Sequence, residues 1–384
     1  MTPLAEGAAP STEAALRSMR IRAIRWRPFR LPMRHHFEAA HGALDDREGV
    51  LLQLEIDGGA TGLGEASPLP SIGGGTVADV LVLLERHADA LLRGDMPAEV
   101  LANGPGAAAL RCALDVALLD LEAQRAGCRL AQLLAPDAAE AVTVNAVIGG
   151  GPPEEVVAYG REATSHGYRV VKLKVGVDHS VEGDIARVRA LRMACPDAVI
   201  RLDANGAWSE AEAAEAIRGF YPLRVELLEQ PVAADDVEAL ARVRANAPLR
   251  IAADEALRDP ALATQVIDTR AVDMLVLKPM VLGGLRPALD LAARAAAHGV
   301  GAFVTTTFDS SVATAAAAHL AAALPTDAAH GLATVEHLGA DLVSTSMSPH
   351  DGWLKVPDGP GLGVELDEDA VEAATEVPWV ERRA

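Results

Sequence analysis

Two lysines lie in a short apolar stretch, residues 170 to 176, which reads V-V-K-L-K-V-G. Lys172 and Lys174 are two positions apart, so in a buried strand both side chains would point to the same face. Burying two ammonium groups is costly unless they have a role. The chain has four lysines against thirty arginines, so a pair of strand-edge lysines reaching solvent would not explain why lysine is kept here. A lysine beside another cation can have a lowered pKa and act as a base, which arginine cannot do.

Five polar residues occupy the same place in successive repeats of the chain. They end or follow apolar runs and are separated by 29, 26, 25 and 24 residues: Lys174, Asp203, Glu229, Asp254 and Lys278. A single acid at a strand end is usually a helix cap or half of a surface ion pair. Three acids in consecutive units, with a lysine on each side, indicate one site.

The chemistry of that site follows from its residue types. Three carboxylates without histidine or cysteine suit a hard cation, Mg²⁺ or Mn²⁺. A divalent ion that contacts a substrate carboxylate stabilises the ene-diolate formed when the neighbouring carbon loses its proton. A lysine on each side could then handle that proton. The sequence therefore predicts proton abstraction α to the carboxylate of a small substrate.

Eight apolar runs alternate with alanine-rich amphipathic segments after residue 141. A doubly wound open sheet would also alternate, but eight nearly even units favour a parallel (β/α) barrel. The carboxyl ends of barrel strands form one rim, where the five polar residues would converge. The predicted strands are 142–148, 170–175, 199–203, 225–229, 250–254, 272–278, 301–307 and 331–335.

The residues around the predicted barrel divide into further units. Residues 20–140 predict an α+β domain, and residues 141–350 form the barrel domain. Residues 1–19 are predicted to be a disordered tail, and residues 351–384 are expected to pack back on the first domain. In the α+β domain, the apolar spacing predicts strands at 20–30, 49–56 and 62–66 and helices at 76–92 and 107–134.

Composition excludes several classes of partner. The formal charge of −20 and pI near 4.9 disfavour nucleic acid and anionic membranes, because neither would be attracted. No apolar run approaches the ~18 residues of a membrane span. Three cysteines without metal-ligand spacing fit a reducing, cytoplasmic setting. A homo-oligomer is compatible with the sequence, which does not fix its order.

The strand-end motifs resemble those of the enolase superfamily, in its muconate-lactonizing subgroup, over residues 20–363. The resemblance implies an α/β fold, a modified TIM barrel of (β/α)7β type with an α+β capping domain, and a Mg²⁺ cofactor. Its motifs are highly specific for the superfamily and less so for the substrate. They are Lys172-Leu173-Lys174, Asp203-Ala204-Asn205, Glu229-Gln230-Pro231, Ala253-Asp254-Glu255 and Lys278-Pro279.

The resemblance also implies a role for each matching residue. Asp203, Glu229 and Asp254 would bind the metal. Lys174 would be the general base on one face of the substrate and Lys278 would lie on the other, while Lys172 would lower the pKa of Lys174 and help to hold the substrate carboxylate. The remaining expected site residues are Asn205 and Glu255 behind the metal ligands, and Thr305, Thr306, Asp309 and His41 beside the substrate. The loops at 35–41 and 71–75 would contact substrate.

Three stretches, 39–49, 64–70 and 303–311, most resemble the o-succinylbenzoate synthases of menaquinone biosynthesis. That resemblance implies syn-dehydration of a succinyl-hydroxycyclohexadiene carboxylate, with Lys174 moving the proton and Lys278 serving as a cation. The alternative is a dipeptide epimerase or N-acylamino-acid racemase, in which both lysines exchange protons. Dipeptide epimerases typically carry Asp-x-Asp at the eighth strand, where residues 331–338 read G-L-A-T-V-E-H-L, which disfavours dipeptides but not N-acylated substrates. Muconate cycloisomerase is less supported, and a non-catalytic binding barrel would be expected to lack at least one rim residue.

Overall fold

The computed structural model of this chain describes residues 11–39, 42–177 and 180–384. The first domain consists of three antiparallel strands covered by helices. Its elements are α1 (Thr12–Ser18), β1 (Ile21–Ala39), β2 (Gly42–Ile56), β3 (Thr61–Ala66), α2 (Val77–Leu92), α3 (Ala98–Leu101), α4 (Ala107–Ala126) and α5 (Leu130–Leu134).

Helix α4 packs directly on β3, and two glycines make this possible. A Cβ atom at Gly62 or Gly64 would collide with the main-chain carbonyl groups of Ala117 and Ala113. The predicted helix over 107–134 is broken at Gly127, which caps α4 with φ 66°. A left-handed conformation favours glycine and ends the helix.

The predicted disordered tail is corrected for residues 12–18, which form helix α1. Ser11 caps the helix by accepting a hydrogen bond from the Ala14 N–H, and Leu16 is fully buried. The Thr12 hydroxyl also donates to Asp115 of α4 at 2.7 Å. The segment folds because it buries an apolar side chain and satisfies its first turn.

The second domain alternates strands and helices. Its elements in chain order, with the C-terminal ones, are β4 (Ala141–Thr143), β5 (Asn145–Ile148), α6 (Pro153–Ser165), β6 (Val170–Lys174), α7 (Val181–Ala194), β7 (Val199–Asp203), α8 (Glu210–Phe220), β8 (Val225–Glu229), α9 (Val237–Asn246), β9 (Arg250–Ala253), α10 (Pro260–Asp268), β10 (Met274–Leu277), α11 (Pro279–Leu282), α12 (Leu285–Ala297), β11 (Gly301–Val304), α13 (Ser311–Ala323), β12 (Trp353–Lys355), α14 (Glu368–Ala373) and β13 (Val380–Arg383).

Seven parallel strands, β5 to β11, form a curled sheet in sequence order. The predicted eighth strand, 331–335, is corrected to a much shorter closure. His330 pairs with Val144 and Gly331 with Thr305, so residues 330–331 join the two edges of the sheet. The chain then turns into a 3-10 helix at Thr334–His337. The barrel therefore has seven strands and a two-residue eighth segment.

The inward faces of the strands form two levels. An apolar cluster fills the lower barrel and includes Leu227, Met274, Val276 and Phe303. Above it, the polar rim residues follow two positions later along their strands, so they point the same way. Leu227 thus precedes Glu229, and Val276 precedes Lys278. The apolar cluster therefore lies directly beneath the polar rim.

The C-terminal segment packs on both domains, so the expectation that all of residues 351–384 pack on the first domain holds only in part. Strand β12 pairs with β4 at the start of the barrel domain, and β13 pairs with β1 in the antiparallel sheet of the first domain. The three cysteines are unpaired. Among the described residues, no helix has the length and apolar character needed to cross a membrane.

Candidate active site

Six charged side chains meet at the carboxyl ends of β6 to β10, and hydrogen bonds connect them. Lys174 Nζ donates to Asp203 Oδ2 at 2.6 Å. Lys172 Nζ lies between two carboxylates, 3.1 Å from Asp203 Oδ2 and 3.2 Å from Glu229 Oε1. On the other side of the barrel, Lys278 Nζ donates to Asp254 Oδ2 at 2.5 Å. The structure thus brings together the lysines and acids that the strand spacing predicted.

Burial and close charges shift the pKa values of this cluster. Burial raises the pKa of Glu229, and the neighbouring Asp203 raises it further. Burial would also raise the pKa of Asp203, but Lys174 and Lys172 outweigh it and hold that pKa well below its ordinary value. Burial raises the pKa of Asp254, although Lys278 acts in the opposite direction.

Carboxylates determine the direction of the pKa shift at Lys172 and Lys278. Burial alone would lower the pKa of Lys172, but Glu229 and Asp203 outweigh it and raise that pKa. At Lys278, burial also acts downward, while Asp254 and other carboxylates raise the pKa. Both side chains therefore carry positive charge in this structure.

Two residues within two positions of the acids turn the chain sharply. Asn205 has φ 47° and Gln230 has φ 38°, a conformation that non-glycine residues rarely adopt. Gln230 is fully buried, and its side-chain oxygen accepts the N–H of Asp254 at 3.0 Å. Such strained positions persist where the surrounding structure fixes them, often at functional sites. Gln230 belongs to a motif that the sequence singled out, but its positioning role was not predicted.

Asn205 and Glu255 support the acids from the side. Asn205 Oδ1 accepts from Lys174 Nζ at 2.9 Å, and Asn205 Nδ2 donates to Glu255 Oε1 at 3.0 Å. The main-chain N–H of Asn205 also donates to Asp203 Oδ1 at 3.1 Å. Asn205 therefore connects Lys174 and Asp203 to Glu255.

The three acids fit a hard divalent cation by their chemistry. Asp203, Glu229 and Asp254 supply only oxygen donors and are almost completely buried. The raised pKa values of Glu229 and Asp254 indicate that the lysines do not fully offset the effects of burial and of neighbouring carboxylates on these two acids. A bound cation would stabilise their charged forms. In the described part of the chain, no three His, Cys, Asp or Glu side chains are close enough together to form a metal site as they stand. Lys172 hydrogen-bonds to two of the three acids, Asp203 and Glu229.

A cavity of about 90 Å³ opens above the charged cluster, between the barrel and the first domain. Thr305 and Thr306 line it, as predicted, and Thr306 Oγ1 lies 2.6 Å from Thr334 Oγ1. From the loop predicted to contact substrate at 71–75, the structure places Ser71 and Ile72 in the wall. Further side chains line it to which the sequence analysis assigned no substrate contact: Leu69, Val147, Thr307, Phe308 and Thr334.

Two of the predicted substrate contacts fall elsewhere. His41 lies outside the described residues. Asp309 is not in the cavity wall; it is buried, and its Oδ1 accepts from Thr307 Oγ1 at 2.7 Å and from Arg47 Nη2 at 3.2 Å. Its position after the strand end was read correctly, but its side chain turns away from the cavity toward a buried arginine.

That arginine, Arg47 of β2, is a feature the sequence analysis missed. Its guanidinium donates to the carbonyl oxygens of Pro68 at 2.7 Å and Thr307 at 3.1 Å and also to that of Ser67. Pro68 leads into the wall segment 69–72, and Thr307 is itself in the wall. Arg47 therefore connects both sides of the cavity.

Comparison with known proteins agrees with this geometry. Residues 155–370 match the family described as enolase C-terminal domain-like, and residues 23–135 match the mandelate racemase / muconate lactonizing enzyme N-terminal domain. An N-succinyl-L-Arg/Lys racemase of Bacillus cereus is 28% identical over 93% of this chain and 98% of the relative. A muconate cycloisomerase 1 of Rhodococcus opacus is 31% identical over 85% and 90%.

A solved structure has a similar fold over most of this chain. The dipeptide epimerase of Enterococcus faecalis V583, complexed with Mg and the dipeptide L-Leu-L-Tyr, superposes with a TM-score of 0.83 and 28% identity. The match covers 90% of this chain and 99% of that one. With both domains matched and the charged rim in place, the chain belongs to the enolase superfamily.

Proposed function

We propose that this protein is a Mg²⁺-dependent racemase of N-acylated amino acids. The observation that carries the proposal is the placement of two lysines. Lys174 ends the second strand of the eight-membered ring and Lys278 follows the sixth, so they start from opposite sides of the barrel. Both line the same cavity. A carbon atom held between them would be reached from its two faces.

The residues around the cavity suit each step of such a reaction. Lys172 supplies positive charge for the substrate carboxylate beside Asp203 and Glu229. Lys174 takes the α-proton from one enantiomer, and Lys278, which enters as an ammonium group, returns a proton from the opposite face. A Mg²⁺ ion held by the three acids would stabilise the negative charge that develops on the substrate carboxylate.

The comparisons favour this isomerase over the dehydratase expected from the local sequence resemblance. The two lysines alone do not discriminate, because the dehydratase would also use both, with Lys278 as a cation. The relatives described above are named for racemisation, epimerisation or cycloisomerisation. They support the alternative expectation better than o-succinylbenzoate synthesis.

The cavity also favours an acylated nitrogen over a free ammonium. Its described lining holds two carboxylates, Asp203 and Glu255, and each already contacts a lysine, an asparagine or an arginine. The acid within residues 331–338, Glu336, accepts the Tyr168 hydroxyl at 2.7 Å and is not in the lining. An amide nitrogen carries no charge and requires no such partner.

The test follows N-succinyl- and N-acetyl-L-valine in D₂O with Mg²⁺, by polarimetry and by loss of the α-proton NMR signal. An L-Ala-L-Glu dipeptide and the cyclohexadiene substrate are measured in parallel. We expect racemisation of an N-acyl substrate, abolished in Lys174→Ala and Lys278→Ala. Each variant should still exchange the α-proton of one enantiomer, and the two should differ in which one.

The matched control is Lys355→Ala, which removes an exposed lysine paired with Asp358. It should behave as the wild type. Dehydration of the cyclohexadiene without exchange of any amino-acid substrate would contradict the proposal, and so would racemisation that survives the loss of either active-site lysine.

A further inference from the structure

A second cavity, of about 80 Å³, adjoins the active-site cavity where the first domain meets the barrel. Leu69, Ile72 and Thr307 line both cavities, so these three residues form the boundary that the two cavities share. The side cavity also touches Asn103 of the first domain and Met280 of the barrel. Its described lining has no acidic side chain.

One cationic side chain, Arg258, stands in the described wall of this side cavity. It ends the 3-10 turn Glu255–Arg258, which begins directly after Asp254. Its nearest charged partner is Glu255, whose Oε1 lies 3.4 Å from Arg258 Nη2. Since Glu255 lines the active-site cavity, Arg258 stands immediately behind the wall of that site.

The Arg258 side chain is 30% exposed, and its Nη2 atom makes no hydrogen bond within the described structure. Arg47 and Arg286 donate to several carbonyl or carboxylate oxygens, and Arg201 donates to Glu226 at 2.7 Å. Arg258 Nη2 is buried and has no hydrogen-bond acceptor among the described residues. A guanidinium has five N–H donors, which match a carboxylate well.

We propose that the side cavity binds a second carboxylate of the substrate, held by Arg258. This proposal rests on the proposed function. With the first carboxylate near Lys172 and the α-carbon between the other two lysines, a further acidic group would extend past Leu69 and Ile72. There it would meet an arginine with free donors and no competing acid in the described wall. The Asn103 amide lies in the same wall as a further polar group.

The second carboxylate could stand at the end of the acyl group or at the end of the amino-acid side chain. Three substrates separate these sources. N-succinyl-L-valine carries it on the acyl group, N-acetyl-L-glutamate carries it on the side chain, and N-acetyl-L-valine has none. Each is assayed with the wild type, Arg258→Met and Arg258→Lys, by α-proton exchange with Mg²⁺.

We expect Arg258→Met to lower kcat/KM for one diacid by roughly 10- to 100-fold, mainly through KM, because a charge-assisted hydrogen bond is lost. The affected diacid identifies the source. N-acetyl-L-valine should change by less than about twofold, since it does not reach the arginine. Arg258→Lys keeps the charge but not the paired donors, so its kcat/KM for that diacid should lie between the values of the wild type and Arg258→Met.

The matched control is Arg244→Met. Arg244 has a similar exposure, 36% against 30%, and pairs with Asp273 away from both cavities. It should leave all three substrates unaffected. Equal losses for the diacids and N-acetyl-L-valine would overturn the proposal, because they would show a general effect through Glu255. Unchanged kinetics for both diacids would also overturn it.

Calorimetric binding separates this proposal from the proposed function. If no amino-acid substrate is turned over, the racemase proposal fails, but each diacid can still be titrated into wild type and Arg258→Met with Mg²⁺. Weaker binding of a diacid to the variant, with N-acetyl-L-valine unaffected, would support the carboxylate site. Equal binding to both proteins, or no binding, would overturn it.

Discussion

Replacing Arg47 by lysine should weaken substrate binding although Arg47 does not line the cavity. The guanidinium holds the main chain of Ser67 and Pro68 on one side and of Thr307 on the other. The residue after Thr307, Phe308, lies in the cavity wall with φ 61°. A left-handed phenylalanine is kept in place by its surroundings, and Arg47 is a large part of them.

The magnitude follows from the hydrogen bonds. Arg47 donates to four carbonyl oxygens, those of Glu48, Ser67, Pro68 and Thr307, and to Asp309 Oδ1. A lysine has three donors on one nitrogen atom, so at least two of these buried acceptors lose their partner. Each unsatisfied buried group costs about 1–3 kcal/mol, which gives a loss of about 2–5 kcal/mol in the free energy of unfolding.

A matched variant separates stability from positioning. Arg286 is equally buried and connects the two domains through Asp115 at 2.7 Å and Glu122 at 2.7 Å, but it does not line either cavity. Arg286→Lys should also lower the free energy of unfolding, because a single ammonium group cannot reproduce the separate contacts with Asp115 and Glu122, and it should leave KM unchanged. Arg47→Lys should lower stability and also raise KM by roughly 10-fold, which corresponds to about 1.4 kcal/mol of binding energy.

The assay combines urea unfolding with steady-state kinetics below the unfolding transition. KM, kcat and the Kd for substrate are measured for the wild type and both variants. If Arg47→Lys and Arg286→Lys have the same KM, the arginine is a structural contact between domains and its role in shaping the cavity is refuted.

Three further outcomes are expected. Mg²⁺ should raise the Tm of the wild type because the ion binds the folded state, and Glu229→Gln should abolish this increase; an unchanged increase would contradict Glu229 as a ligand. Burial lowers the pKa of His330 to about 3 from its ordinary 6.5, and its Nδ1 accepts the Val304 N–H. The unfolded chain therefore binds the proton first as the pH falls, so His330 should contribute a drop of about 2 kcal/mol in the free energy of unfolding between pH 6.5 and 5. His330→Asn should remove that contribution and leave the similar one of buried His319, whose pKa is lowered to about 4. Deleting residues 1–18 should lower the free energy of unfolding by about 2–3 kcal/mol through the loss of buried Leu16, without changing KM; a changed KM would show that α1 also shapes the site.

Much of the barrel could be predicted because its strands are short apolar runs that end in a polar residue. The predicted strands at 199–203 and 225–229 have the observed bounds of β7 and β8. Other barrel strands are one to three residues shorter than predicted, because the chain stops pairing with the neighbouring strand at or just before the rim residue. The predicted strand 142–148 divides into β4 and β5, which pair with different partners.

The charged rim was predictable for the same reason, but the cavity wall was not. A carboxylate or lysine at the end of an apolar run is visible in a sequence, whereas a wall of Leu69, Val147 and Phe308 resembles any apolar contact. Arg47 lies in the charged run D-D-R-E before the predicted strand at 49–56, so nothing in the sequence marks it as buried, and its acceptor Thr307 lies 260 residues further along. No local pattern connects the two. The raised pKa of Lys278 likewise depends on distances that only the fold sets.

The pairing of β13 with β1 has a consequence for how the protein is made. Strand β1 begins at Ile21 and its sheet partner β13 begins at Val380, with the whole barrel between them. During synthesis, the ribosome releases the barrel before this edge of the first sheet can be completed. Until then β1 presents an open strand edge, which can pair with another nascent chain. Strand β13, which is synthesised after the barrel, therefore covers the open edge of β1 and prevents it from pairing with another chain.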